Sequence, residues 1–152
     1  MTARGIILAA KGGPVVALRR YWRIYVTACQ GASNTAIAEA EFHSVIGGVN
    51  ICSGGAPSAS TTTGIAVAAR ALDNDITTYW FSNGNVPQWW QYDFGPGRAA
   101  DVVELTLSCA AAAPRNPTAF SLDWSDDGIT WNTRKSFTTP ANWTGGQTRV
   151  FS

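Results

Sequence analysis

The chain has 152 residues and a formal net charge of +1, and this length suits one domain with one hydrophobic core. Charged residues make up only 14% of the sequence, so the strong positive field that attracts nucleic acid is not expected. No apolar run approaches the ~18 residues of a membrane-spanning helix, and we expect no insertion into a membrane.

The first twenty residues are predicted to form an N-terminal arm. They contain two short apolar stretches, residues 6–8 and 15–18, which flank a Gly-Gly-Pro turn signal. Lys11 ends the apolar run of residues 5–10 before it reaches the length of a signal-peptide core. An isolated arm of this kind would expose apolar surface and unpaired N–H groups. We expect residues 1–20 to dock on their own domain as an added strand or on a neighbouring subunit, which favours a homo-oligomer or a larger assembly.

Strand patterns begin at Tyr21, where residues 21–27 are aromatic and β-branched. Residues 32–40 have two interpretations. Their alanines favour a helix, whereas the alternation that runs through Ile37 to Phe42 favours a strand, and the β-rich context supports the strand. A short helical turn is expected at residues 65–71, which contain no helix breaker.

The second half of the chain continues the same pattern. Residues 89–94 place Trp90, Tyr92 and Phe94 on one face of a strand, which is the predicted core face. Other strands are predicted at residues 102–107, 120–125 and 148–151, with Gly-, Asn- and Asp-rich turn signals between strands along the chain. The pattern predicts an all-β chain, folded as an antiparallel β-sandwich or jelly roll over residues 21–152, with the arm as an N-terminal extension.

The three cysteines, Cys29, Cys52 and Cys109, form no CxxC pair, so a zinc site is not expected. Their odd number excludes a complete disulfide framework. One bridge and three buried thiols are both compatible with the sequence, and the redox compartment stays open.

Several segments follow one another in an order typical of a known family. They are YWRI at 21–24, IAEAEF at 37–42, ALDNDITTYW at 71–80, WWQYDFG at 89–95, SDDGITW at 125–131 and GQTRVF at 146–151. Together they resemble the discoidin-like, galactose-binding-like domains, also called coagulation-factor C-type domains, over roughly residues 20–152. The opening Tyr-Trp-Arg-Ile and the closing Trp-x-x-Gly-x-x-Arg-x-Phe resemble the variant found in bacteriophage tail and virion proteins.

The loop at residues 73–78 is the predicted place for an ion. Asp73, Asp75 and Thr78 offer hard oxygen ligands of the kind that Ca²⁺ takes, and related carbohydrate-binding modules hold a structural calcium in this loop. The chain has no Glu after Glu104 that could complete such a ligand set. The alternative is a turn in which the carboxylates accept backbone N–H groups. We expect no required cofactor and keep structural Ca²⁺ as a hypothesis.

Carbohydrate recognition needs aromatic faces for the C–H side of a sugar and polar groups for its hydroxyls. One stretch between two predicted strands offers both, and an aromatic near the C-terminus is a further candidate. These predicted ligand-binding residues are Tyr79, Phe81, Asn83, Asn85, Gln88 and Trp143. The alternative is that Trp80 and Trp131 are core residues, that Trp143 closes the sandwich, and that the loop is ordinary surface.

The sequence gives little support for a catalytic function. His43 is the only histidine, and no nucleophile, metalloprotease or phosphate-loop motif is present. Asp126 and Asp127 belong to an Asp-Asp-Gly sequence that is typical of a turn. We expect a protein that is not an enzyme.

The resemblance implies a binding module, because function on this scaffold lies in the loops. The leading hypothesis is a binding module on the tail or capsid of a phage-like virion. It would contact cell-surface carbohydrate, and many copies on one particle would strengthen the binding. The alternative is a structural virion subunit, such as a cement, decoration or tail component, whose loops contact protein only. A secreted or cell-surface carbohydrate-binding module is a third interpretation.

Overall fold

The computed structural model describes residues 17–31, 33–111 and 115–152, and over these ranges the chain is built from strands and one short 3-10 helix. This confirms the predicted all-β fold. The elements in chain order are β1 (Tyr21–Cys29), β2 (Ala36–Ile37), β3 (Glu39–His43), β4 (Ala56–Ala59), the 3-10 helix (Ala68–Leu72), β5 (Trp80–Phe81), β6 (Gln88–Asp93), β7 (Glu104–Ser108), β8 (Pro117–Ser125), β9 (Asn132–Thr138) and β10 (Thr148–Phe151).

The strands form antiparallel layers. The larger sheet has the order β4-β6-β1-β8-β9, and the smaller one has the order β10-β7-β3, while β2 and β5 pair with each other. Strand β1 is central in the larger sheet, because it pairs with β6 on one side and with β8 on the other. Strand β7 has the same place in the smaller sheet, between β3 and β10.

The alternation of side chains along β1 explains why it occupies the centre. Trp22, Ile24 and Val26 are fully buried, and each alternate residue between them is only partly buried. Their partners across the β6 pairing, Tyr92 and Trp90, point into the same core, so two alternating strands combine into one apolar face. The predicted core face of residues 90–94 is thereby confirmed.

The core is closed where the smaller sheet covers this face. Phe42 of β3 contacts Trp90 edge to face, with ring centroids 5.8 Å apart. The indole N–H of Trp90 donates to the carbonyl of Ala68 at 2.9 Å, which holds the 3-10 helix against the core. A buried tryptophan therefore contributes apolar area while its polar group stays paired.

Two local predictions have mixed outcomes. Residues 36–37 and 39–43 form strands, which confirms the strand interpretation over the helical one. The predicted helical turn exists, but it begins at Ala68 rather than at Ile65.

The two tryptophans that were alternatives for the core differ in burial. Trp80 is fully buried, as expected for a core residue. Trp131 is only partly buried, and the Arg23 guanidinium lies 4.3 Å above its ring.

The predicted N-terminal arm lies mostly outside the described residues, which begin at Ala17. Its last residues contact the domain. Arg19 forms an antiparallel bridge with Ala100, and the Arg20 guanidinium pairs with the Asp93 carboxylate at 2.7 Å. Whether the remainder of the arm docks stays a prediction.

The structure agrees only in part with the interpretation of three buried thiols, because Cys29 is only partly buried. Cys109 is buried, Cys52 is partly buried, and burial raises the pKa of the Cys52 thiol to about 12. The Cys29 thiol donates to the carbonyl of Asn34 at 3.3 Å. Among the residues that the structure describes, no helix has the length and apolar content needed to cross a membrane.

Candidate functional site

The sandwich has two distinct ends, which the pairing of β1 and β6 defines. At the proximal end β1 begins and β6 finishes, so Tyr21 lies opposite Asp93. At the distal end Val26 lies opposite Gln88. The loops that enter and leave the short β5 lie at the distal end, where the Ser82 N–H donates to the carbonyl of Thr35 at 3.0 Å.

A hollow of about 250 Å³ opens beside these distal loops. We call it the Tyr79 hollow. It is formed where the chain leaves β4, turns through the 3-10 helix and returns towards β5. Its lining combines apolar, hydroxyl, guanidinium and phenol groups from Ile65, Ala66, Arg70, Thr77, Thr78 and Tyr79.

Both an aromatic side chain and an exposed aliphatic one line the Tyr79 hollow. Tyr79 is held by an edge-to-face contact with Phe81, with centroids 6.4 Å apart. Ile65 is 84% exposed and adds an aliphatic surface to the lining. The hollow therefore offers apolar contact together with hydrogen-bonding groups.

The polar wall of the hollow is continuous with the loop at residues 73–78. The Thr78 hydroxyl donates to the Asp73 carboxylate at 2.6 Å, and the Arg70 guanidinium reaches the same carboxylate oxygen at 3.3 Å. Burial alone would raise the pKa of Asp73, but the hydrogen bonds from Thr78, the Asp75 N–H and Arg70 outweigh it and hold that pKa below its usual value. Asp73 therefore stays ionised and fixes the position of Arg70.

The backbone of this loop is fixed by its own carboxylates. Asp73 accepts from the Asp75 N–H at 3.1 Å, and Asp75 accepts from the Thr77 N–H at 2.9 Å and from the Thr77 hydroxyl at 2.6 Å. These bonds, from Thr77 above all, hold the pKa of Asp75 below its usual range. Asn74 adopts a left-handed conformation with φ of 58°, which asparagine tolerates better than most residues.

Glu39 is a member of this cluster that the sequence analysis did not identify. Its carboxylate accepts from the Asp75 N–H at 3.0 Å. Burial raises the pKa of Glu39 to about 7; the Asp75 N–H opposes this rise, and the neighbouring Asp73 adds to it. Glu39 and Glu41 both alternate with buried residues of β3, so the sequence pattern does not distinguish the one that meets the loop.

The three predicted metal ligands are adjacent, but their arrangement is that of a turn. Both oxygens of Asp73 and one oxygen of Asp75 already accept hydrogen bonds from the protein. Over the described ranges, no group of three or more His, Cys, Asp or Glu residues is arranged to hold a metal ion. The residues therefore fit the turn alternative better than an ion site, and calcium binding at Asp73, Asp75 and Thr78 stays a prediction.

The structure separates the predicted ligand-binding residues into groups. Tyr79 lines the hollow and Phe81 supports it from the side. Asn83 and Asn85 are exposed on the next loop, which follows β5 and does not line the hollow. Tyr79 is thus the predicted ligand-binding residue that lines the hollow, and Arg70, Thr77 and Ile65 are lining residues that the sequence analysis did not single out.

Two of the predicted ligand-binding residues, Gln88 and Trp143, are buried, which corrects the expectation that they contact a ligand. Gln88 is 8% exposed, because its amide oxygen accepts from the hydroxyls of Ser60 and Thr61 and its amide nitrogen donates to the carbonyl of Asn85. The side-chain amide of Gln88 therefore links two loops through these hydrogen bonds.

Trp143 is the second buried residue and is 2% exposed. Its indole N–H donates to the carbonyl of Pro117 at 3.0 Å, and the Arg149 guanidinium covers its ring at 4.1 Å. The expectation that Trp143 is an exposed aromatic is wrong, because it closes the core beside Phe151.

Comparison with known proteins gives one positive finding. The sequence profile of the F5/8 type C domain matches residues 56–152, which is more than half of the chain. No curated protein and no solved structure matches significantly. The matched region spans β4 to β10 and includes the Tyr79 hollow. The chain therefore belongs to the family of F5/8 type C, or discoidin-like, domains.

Proposed function

We propose that this chain is a non-catalytic binding module that recognises carbohydrate through the Tyr79 hollow. Domains of this family are commonly carbohydrate- or ligand-binding modules. The observation that carries the proposal is the composition of the hollow, where Tyr79 and Ile65 provide apolar surface beside Arg70 and two threonine hydroxyls.

The chemistry of this lining suits a sugar. A pyranose has an apolar C–H face that packs on an aromatic ring, and its edge hydroxyls accept and donate hydrogen bonds. Arg70 is already oriented by Asp73, so a ligand would meet a donor that loses little conformational freedom on binding. The volume of about 250 Å³ is small for a ligand site, which favours one sugar residue rather than a long chain.

We extend the proposal to the setting that the sequence motifs indicate, a phage-like virion in which many copies act together on its tail or capsid. A site of this size is expected to bind weakly by itself, and many copies on one particle would raise the overall avidity by roughly 10²–10⁴-fold. Localisation on a virion and assembly into an oligomer are therefore parts of one hypothesis.

The absence of catalysis is part of the same proposal. His43 is buried, and its Nε2 lies 3.0 Å from the hydroxyl of Thr106 in the smaller sheet, away from the Tyr79 hollow. We expect a glycan incubated with the protein to be recovered unchanged, as judged by mass spectrometry. Release of a shorter glycan would contradict the assignment.

The test is binding of a multivalent form, such as the chain displayed on streptavidin, to a glycan array and to bacterial cell-wall polysaccharide. Tyr79→Ala is expected to weaken binding by roughly tenfold, the value of one aromatic stacking contact. Tyr25→Ala is the matched control, because Tyr25 is also partly exposed but lies on the outer face of β1. No binding by the multivalent form, or equal losses in the two variants, would contradict the proposal.

A structural virion subunit is the second candidate, and exposed apolar residues favour it. Val45, Ile46 and Val49 are 61%, 75% and 81% exposed on the loop that follows β3. Such side chains are suited to a protein contact. If the chain binds no glycan but forms a stable assembly that buries this loop, the structural role is the correct one.

A further inference from the structure

A second and larger depression, of about 610 Å³, lies at the proximal end of the sandwich. We call it the proximal groove. It is formed by Leu18, three residues before β1, by the loop that follows β3 and by the segment that joins β6 to β7. Its apolar lining consists of Leu18, Ile51, Phe94, Ala99, Ala100 and Val103. By the pairing of β1 with β6 it lies one strand length, roughly 20 Å, from the distal end.

The charged residues around the proximal groove already have partners. Arg134 and Asp101 form an ion pair. The Arg98 guanidinium donates to the carbonyls of Gly54 and Ser53, at 2.8 and 2.7 Å. The floor that remains is apolar, so the chemistry of the groove suits aliphatic side chains rather than a charged ligand.

The rim of the groove exposes apolar side chains that nothing in the described part of the chain covers. Leu18 is 57% exposed. The loop that connects the lining residues Ser44 and Ile51 carries Val45 and Ile46, which are exposed by 61% and 75%. Exposed apolar side chains beside an apolar groove are typical of a surface that another segment covers.

The path of the chain before β1 indicates which segment this is. The Arg19 N–H donates to the Ala100 carbonyl at 2.9 Å, and the Ala100 N–H donates back to Arg19 at 3.0 Å. Because this bridge is antiparallel, Leu18 follows the direction of the chain towards Asp101. Leu18 itself lines the groove. The segment that leads into β1 therefore lies at the groove.

We propose that the proximal groove is the docking site for Val15 and Val16 of the same chain. These residues lie outside the described residues, and they are the nearest branched apolar residues before Leu18 in the sequence. A tether of two or three residues spans roughly 7–10 Å, enough to reach the groove. Because the connection is so short, the effective concentration is high, and a weak apolar contact suffices for docking.

Docking at this position puts the arm and the Tyr79 hollow at opposite ends of the sandwich. The arm is held at the proximal end, and the Tyr79 hollow lies beside the loops of the distal end. This inference does not depend on the ligand of the hollow, because it concerns the groove and the arm alone.

The test is site-specific photo-crosslinking in the full chain. A benzophenone-bearing residue replaces Val16, and the crosslinked peptides are identified by mass spectrometry after irradiation at several protein concentrations. We expect intrachain crosslinks to residues 44–51 or 94–103, with a yield that does not depend on concentration. The same probe at Ile65, which is 84% exposed beside the other hollow, is the control and is expected to give none of these crosslinks.

Two variants show whether docking uses the groove. Ala99→Trp fills it from an exposed position, and Leu18→Asp places a charge on its rim. Each is expected to reduce the intrachain yield by roughly tenfold, which corresponds to the loss of one buried aliphatic side chain. Crosslinks between two copies with a yield that rises with concentration, crosslinks to other regions, no crosslinks, or yields that neither variant changes would each overturn the proposal.

Discussion

The ion pair between Arg23 and Asp123 joins the central strand β1 of the larger sheet to its neighbour β8, and its loss should destabilise the domain strongly. The Arg23 Nε donates to the Asp123 carboxylate at 3.0 Å, and the side chains are only 16% and 4% exposed. Thr133 of β9 donates its hydroxyl to the other carboxylate oxygen at 3.0 Å. Asp123→Ala removes both bonds and leaves the Arg23 charge without this partner.

The expected cost follows from this burial. Breaking a buried ion pair from one side costs about 3–5 kcal/mol. Arg23 keeps some contact with water and the rings of Tyr25 and Trp131, so we place the cost in free energy of unfolding at about 2–4 kcal/mol. For a chain of 152 residues, each kcal/mol lowers Tm by roughly 2–4 °C, and the predicted decrease is therefore about 5–15 °C.

The assay is thermal unfolding followed by circular dichroism, with Asp126→Ala as the matched control. Asp126 also pairs with an arginine, Arg19, at 2.9 Å, but its side chain is 63% exposed. A surface pair of this kind contributes about 0–1 kcal/mol, so the control should change Tm by at most a few degrees. If Asp123→Ala lowers Tm no more than Asp126→Ala does, the buried pair does not stabilise the sheet and the reasoning is refuted.

Three other predictions concern the candidate site. The pKa of Glu39, about 7, lies above the ~4.3 of an unfolded glutamate, so the folded state holds this proton more tightly and loses stability as pH rises from about 4.5 to 7. With chelator in the buffer, Glu39→Gln should therefore raise Tm at pH 8 but not at pH 4. An equal change in Tm at both pH values would contradict the raised pKa of Glu39. Because the 73–78 loop is held by its own hydrogen bonds, EDTA should leave Tm unchanged, whereas a Tm that rises with added Ca²⁺ would support the calcium hypothesis. Trp143→Ala should cost about 3–5 kcal/mol of stability, since this ring fills the core, yet the protein that remains folded should bind glycan as before; a selective loss of binding would place Trp143 at the ligand.

The strands were predictable because burial on one face imposes a period of two on the sequence. Trp90 and Tyr92 alternate with partly exposed residues, and the same alternation in β1 produces the matching face. The antiparallel layers follow, because two strands with one apolar face each must cover those faces against a common core. This information is local, so a single sequence contains it.

The burial of Gln88 and Trp143 was not predictable in the same way, because it depends on segments far away in the chain. Gln88 is covered when its amide joins Ser60 and Thr61, and Trp143 is covered when its indole reaches Pro117. A glutamine after a turn and a tryptophan near the C-terminus have the same local sequence whether they face water or a partner. The sequence therefore identified the loops of the candidate site but not which of their side chains are free to meet a ligand.

The Tyr79 hollow could not be identified from the sequence alone, because only the folded chain brings its lining residues together. Its two sides come from separate segments, residues 65–70 and residues 77–79, and the Phe81 N–H bond to the Ala66 carbonyl at 3.1 Å holds these segments together. The buried Trp80 between Tyr79 and Phe81 donates its indole N–H to the carbonyl of Thr61 and so fixes this short strand. Because the core tryptophan positions the strand, its two aromatic neighbours must point away from the core, and this is what presents Tyr79 at the surface. The aromatic that we assign to recognition is thus oriented by the adjacent aromatic that stabilises the fold.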